Sequence, residues 1–168
     1  MNIELRPERP DDIDAIRRLT EAAFREAAHT SHTEHFIVDA LRRDGDLAVS
    51  LVAVEAGDIV GHVALSPVLI EDGSRDWYGL GPVSVMPRCQ RRGIGTRLMR
   101  QAMRMLDERG AAGCVVLGDP AYYGRFGFVA EPALCLPGVP AEYFQCRLLR
   151  GGLPRGVVRY ADGFDSAG

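Results

Sequence analysis

The residues best placed to do chemistry are Val83-Ser84-Val85-Met86-Pro87-Arg88-Cys89-Gln90-Arg91-Arg92-Gly93-Ile94-Gly95-Thr96, a strand-like run feeding glycines and arginines into a helix. Such a loop turns successive backbone N–H groups toward one point, and the first helical turn adds about half a positive charge there. That is chemistry for holding phosphate. Gly93 and Gly95 lack the side chains that would keep a ligand at a distance, and Arg91 and Arg92 can add charge-assisted hydrogen bonds. Other phosphate loops are disfavoured. The chain has no lysine for a Walker loop, and neither Gly79-Leu80-Gly81 nor Gly93-Ile94-Gly95 completes a dinucleotide-binding glycine pattern. On the glycines alone, an ordinary turn before a helix fits as well as a phosphate cradle.

The elements that must position this loop are legible from periodicity. Ile3 to Arg6 reads as a strand; Pro10-Asp11-Asp12 caps a helix through Ile13, Ile16, Leu19, Ala23 and Phe24 that runs to about Ala27. A second helix through Phe36, Ile37, Ala40 and Leu41 stops at Gly45. From Asp46 the period becomes two, giving a hairpin turned at Ala56-Gly57-Asp58 and a third strand from Trp77 to Met86. Pro67 and Pro82 mark edges or bulges in this meander. Ile94, Leu98, Ala102, Met105 and Leu106 then mark a helix, Cys114 to Leu117 a buried strand, and Ala121 to Phe126 one or two helical turns. Weaker strand signals follow at Phe144 to Leu149 and Val157 to Tyr160.

Composition narrows the classes. The 168 residues are 46% apolar and 26% charged, ordinary for one folded domain spanning residues 1–168. No apolar run approaches the roughly 20 residues a membrane span needs and no signal-peptide pattern opens the chain, so a cytoplasmic setting is expected. A net charge of −3 gives no global case for nucleic acid or an anionic membrane. Arg97, Arg100 and Arg104 do line one helix face, but without the interleaved aromatics that base stacking needs. Cys89, Cys114, Cys135 and Cys146 contain no C-x-x-C pair and read as reduced thiols.

Two motifs in order carry a resemblance. Gln90-Arg91-Arg92-Gly93-Ile94-Gly95 matches Gln/Arg-x-x-Gly-x-Gly/Ala, and Tyr123-Gly124-Arg125-Phe126-Gly127-Phe128, about 30 residues downstream, matches Tyr-x-x-x-Gly-Phe. With the strand, two helices and meander ahead of them, the sequence resembles the GNAT superfamily of acetyl-CoA-dependent N-acetyltransferases over roughly residues 2 to 130. Gly118 to Phe128 looks like a bacterial branch of largely uncharacterised members.

The resemblance implies an α/β domain with a central mixed, mostly antiparallel sheet of about six or seven strands and about four helices. It implies acetyl-CoA as cosubstrate, gripped by the backbone of Arg91, Arg92, Gly93, Ile94, Gly95 and Thr96, with Val83 and Val85 pairing with the pantetheine arm. Tyr123 would protonate the departing thiolate, and Tyr122 would pack or touch pantetheine. The acceptor would be an amine of a small molecule, peptide or protein. No metal is implied, and a homodimer is compatible. A non-catalytic CoA-binding or sensor module on the same fold is the alternative. Two departures stand out: Asp119-Pro120 replaces a cofactor-touching Asn, and Trp77 to Met86 carries no internal Asp or Glu to act as base.

A base or a desolvating pocket is needed, because a lysine-like amine of pKa ~10.4 costs about 4.6 kcal/mol to neutralise at pH 7. Glu21, Glu34, His32 and His62 are the candidates. His62 alternates with Val60 and Ala64 and suits a hydrogen-bonded structural role as well as a base. His29, His32 and His35, spaced three apart, fit pocket lining better than a metal site.

Overall fold

Val49, Leu51 and Ala53 alternate with Ser50, Val52 and Val54, and neither set is solvent-exposed, the signature of a strand covered on both faces. In the computed structural model, which describes residues 2–25, 27 and 30–166, this is β2, Val49–Glu55. It lies between β1 (Ile3–Pro7) and β3 (Asp58–Ile70); β4 (Trp77–Val85), β5 (Gly113–Leu117) and β7 (Phe144–Leu148) follow in spatial order. Every pairing along this path is antiparallel except β4 with β5. β8 (Gly156–Tyr160) pairs with the outer end of β3, and β6 (Leu134–Cys135) runs parallel to β8. The mixed, mostly antiparallel sheet is therefore as expected, with β6 added; two residues leave no periodicity to read.

Among the described residues four α-helices accompany the sheet: α1 (Ile13–Phe24), α2 (Glu34–Arg43), α3 (Ile94–Glu108) and the single turn α4 (Pro120–Tyr123). α1 stops three residues short of the expected Ala27. Phe24 is the last residue of its apolar repeat, and Ala27 is exposed, so further turns would bury nothing.

The two faces of the sheet are covered differently. Val49, Leu51, Ala53, Val63, Leu65 and Leu80 pack against Ile94, Leu98, Met99 and Ala102 of α3. On the opposite face Val52 packs with Ile16 of α1 and Val38 of α2. Farther along that face, Val68, Trp77, Val115 and Cys146 meet Leu134 and Val158 of the C-terminal strands. Both prolines sit at irregularities. Val63 opposes Val83 but Leu65 opposes Leu80, so Gly81 and Pro82 form a bulge opposite Ala64. Pro67 lies where β3 leaves β2, last paired at Leu65, and takes up β8 at Val68.

Candidate active site

β4 and β5 are hydrogen-bonded neighbours only from Trp77/Gly113 to Gly79/Val115. Beyond that point β4 stays with β3 as far as Val85, while β5 stays with β7 as far as Leu117. The strands part, and the bulge at Gly81 and Pro82 falls at the start of the parted stretch. Met86 N–H donates to Val60 O at 2.8 Å, toward β3. By alternation, the backbone groups of Val83 and Val85 face away from β3, into the opening. Val85 O accepts a hydrogen bond from Gln90 Nε2 at 3.1 Å, so one lone pair of that carbonyl is engaged by the first residue of the glycine motif.

The opening leads to the glycine loop. Arg91 and Gly93 both have positive φ, 65° and 82°, which folds the loop back on the start of α3. Gly93 is the residue before the helix, and Arg97 N–H donates to its carbonyl at 3.1 Å. The N–H groups of Ile94, Gly95 and Thr96 therefore precede the first intrahelical bond. A Cβ on Gly93 would meet nothing within 4 Å, so the glycine answers to the left-handed backbone; a Cβ on Gly95 would stand 3.2 Å from the Tyr122 hydroxyl. The arginines divide. Arg92 is bonded to Glu55 at 2.5 Å through Nη2, which ties the loop to β2. Its backbone N–H stays within the loop.

Tyr123 closes the other side. Asp119 Oδ1 accepts from Ala121 N at 2.9 Å and caps α4, so the aspartate that replaces the family's Asn starts the tyrosine-bearing turn. A Cβ on Gly118 would overlap the Tyr123 ring, so glycine at the end of β5 is what lets the ring lie there. Tyr122 and Phe128 meet that ring edge-on at 5.0 and 6.1 Å between centroids. Burial, with smaller effects from Tyr122 and Cys114, pushes the Tyr123 phenol up to about 12, so it holds its proton across the physiological range.

The acetyltransferase (GNAT) domain family matches residues 4–130. The chain belongs to that family. Among solved structures, a GNAT family acetyltransferase from Brucella melitensis in complex with acetyl-CoA is 48% identical, with a TM-score of 0.88 over 98% of this chain and 99% of that one. YhbS from Escherichia coli, an uncharacterised N-acetyltransferase, is 37% identical over 96% of this chain and 98% of its own. Its crystal structure in complex with CoA superposes with a TM-score of 0.87.

Of the candidate bases in this GNAT domain, Glu21 and His32 are exposed, His32 at a φ of 60°. Glu34 starts α2 and accepts from Thr30 Oγ1 at 2.6 Å and Ser31 N at 3.1 Å. Burial opposes its charge, but these bonds outweigh it and hold the carboxyl below its usual range. His29 lies outside the described residues. Among the described residues no group of three or more His, Cys, Asp or Glu is placed to hold a metal, and no helix is long and apolar enough to cross a membrane. His62 is fully buried, and Nε2 lies 2.8 Å from Ser50 Oγ. Burial pushes it down to about 4, with Glu8 opposing and Arg42 adding to the shift. Sequence reading missed its partners Ser50, Glu8 and Arg42, which are distant in the chain and carry no motif. It also missed Tyr160, whose ring lies against Gly79 in a terminal strand of weak signal.

Proposed function

We propose that the protein transfers the acetyl group of acetyl-CoA to a primary amine by direct attack in a ternary complex, with residues 1–168 as one catalytic domain. The observation that carries this reading is the parted stretch of β4, open along Val83 and Val85, with free helix N–H groups at one end and Tyr123 beside it.

The site fits the cosubstrate. The pantetheine amides are matched by the outward backbone of Val83 and Val85, as an added strand would be. The pyrophosphate is matched by the N–H groups from Arg91 to Thr96 and the positive end of α3. Arg91 adds charge, while Arg92 braces the loop through Glu55. Acetyl-CoA supplies an activated thioester; the protein orients it and manages two proton transfers. A thiolate of pKa near ~8.5 takes a proton from Tyr123 only with close positioning, which the packing of Tyr123 between Gly118, Tyr122 and Phe128 provides.

Direct attack agrees with the thiols of β5 and β7. Burial pushes Cys114 far up and Cys146 up to about 11, leaving neither as a ready nucleophile for a covalent acyl-enzyme. Four free cysteines suit the reducing cytoplasm, where this reading places the protein. Initial rates of thiol release, with acetyl-CoA and an amine varied together, test the proposal. Intersecting reciprocal plots are expected; parallel lines would signify an acyl-enzyme, and acetyl-CoA binding without thiol release from any amine would favour a CoA sensor.

A further inference from the structure

Four arginines converge on one cleft. Arg100 and Arg104 come from the second half of α3, Arg125 from the turn Gly124–Phe126 and Arg147 from β7, and together they line an open cleft of about 530 Å³. Its lining is of two kinds. Met103 and Phe126 are buried and form an apolar base with the half-buried Leu149, while Arg100, Arg104 and Arg125 stand exposed at the rim.

The fold leaves this positive charge uncompensated. The chain carries 23 acidic side chains against 20 basic ones, so carboxylates are not scarce. Yet none of the four arginines forms an ion pair among the described residues. What holds three of them is neutral. The Arg125 guanidinium lies over the rings of Tyr122 and Phe126, 4.7 and 5.7 Å from their centroids, and Nε donates to Tyr122 O at 3.4 Å. Arg104 Nη1 donates to Gln101 Oε1 at 2.6 Å. The Arg147 stem passes Gly127, where a Cβ would stand 3.5 Å from Arg147 Cδ and Nε. Asp107, the acid of the lining, is already paired with Arg150 at 3.0 Å. Guanidinium groups positioned by neutral partners keep their charge and their remaining N–H donors for an anion.

The spacing suits carboxylates on an extended chain. Arg100 and Arg104 are four residues apart on α3, a rise of about 6 Å, and side chains on one face of an extended peptide repeat about every 6.6 Å. Acidic side chains at alternate positions therefore match the two α3 guanidinium groups, each of which can fork onto a carboxylate. The residue between them turns the other way, toward Phe126 and Leu149. Other anions fit worse. Nucleic acid needs ring faces on which bases stack, and Phe126, the aromatic residue of the lining, is buried. The cosubstrate's pyrophosphate is proposed to lie at the first turn of α3, whereas the cleft extends to Asp107, about 20 Å along the helix from Ile94.

We propose that this cleft docks an extended acidic segment of a partner protein, with Asp or Glu at alternate positions and a bulky apolar residue between them. The proposal goes beyond acetyl transfer and does not depend on it.

The probe is a fluorescein-labelled peptide that alternates glutamate with leucine, titrated with the full chain and read by fluorescence anisotropy. Saturable binding is expected at low salt, weakening about five-fold or more when salt is raised through the physiological range. A peptide with serine in place of leucine should bind about 10-fold more weakly, because it leaves the apolar base unfilled. Saturating acetyl-CoA should not displace the peptide. Arg100→Glu combined with Arg104→Glu should weaken binding about 10-fold or more. Arg18→Glu combined with Arg75→Glu makes the same charge change at exposed positions outside the cleft, and should alter binding by no more than about two-fold. Absence of saturable binding, equal affinity for the serine peptide, displacement by acetyl-CoA or equal losses in the two double variants would each overturn the proposal. So would tighter binding of a single-stranded oligonucleotide of the same charge.

Discussion

Along the parted edge of β4, the groups proposed to hold the cosubstrate are backbone groups from one unbroken stretch, Val83 to Thr96. On the face under α1 and α2 the polar groups are buried side chains gathered from nearly the whole chain: Glu8, Ser50, His62, Ser66, Ser84 and Tyr160. The first site is local and depends on conformation, on a bulge, two positive φ angles and a helix end. The second is non-local and depends on register, because a one-residue slip of β3 would turn His62 to the α3 face.

The largest effect is expected for Tyr123→Phe, which removes the proposed proton donor and keeps the ring packing. Thiol release should fall about 10²–10⁴-fold with acetyl-CoA affinity and melting temperature held, as kinetics beside calorimetry would record. A parallel loss of affinity would mean that the phenol serves the cosubstrate side.

The second region predicts an acid-sensitive fold. His62 is held near 4 when folded and rises to about 6.5 when unfolded, so the unfolded chain binds a proton that the folded one refuses. Stability is full above about pH 6.5 and is lost as pH falls toward 4, by about 3 kcal/mol from this group. Glu8, held below its usual carboxylate range by its bonds to Arg42 and Ser50 against burial, adds loss in the same direction at lower pH. Melts across this range should show the slope in the wild type and a much flatter profile in His62→Gln.

Gly93→Ala probes the local side. Its φ of 82° asks a side-chain residue for the left-handed region, at roughly 1–2 kcal/mol, although a Cβ would clash with nothing. Melting should drop by roughly 2–8 °C and acetyl-CoA should bind more weakly. The smallest effect is expected for Arg92→Ala. Its pair with Glu55 is near the surface and worth no more than about 1 kcal/mol, and acetyl-CoA affinity should change less than in Arg91→Ala.

These regions also differ in how far the sequence discloses them. The meander, the long helix and the glycine loop follow from alternation, from 3.6-residue spacing and from glycines at fixed offsets, all carried within short windows. Pro82 announced the bulge at which β4 leaves β5 because a proline cannot donate to a ladder. Ser50 and Ser84, by contrast, look like ordinary polar residues of half-exposed strands until register sets both beside His62. Glu8 reads as a turn acid, and the Arg92 partner Glu55 is 37 positions away. Tyr160 belongs to a strand whose place against β3 no local pattern fixes.

The proposed function requires the parted edge of β4 and the loop at Gly93 to hold acetyl-CoA. A thermal melt with acetyl-CoA, beside ATP and NAD, tests it without knowledge of the acceptor. At 100 times the dissociation constant, binding should add about 2.7 kcal/mol, a rise of roughly 5–11 °C, for acetyl-CoA and not for the other two nucleotides. No shift at millimolar acetyl-CoA, or equal shifts with all three, would contradict the claim.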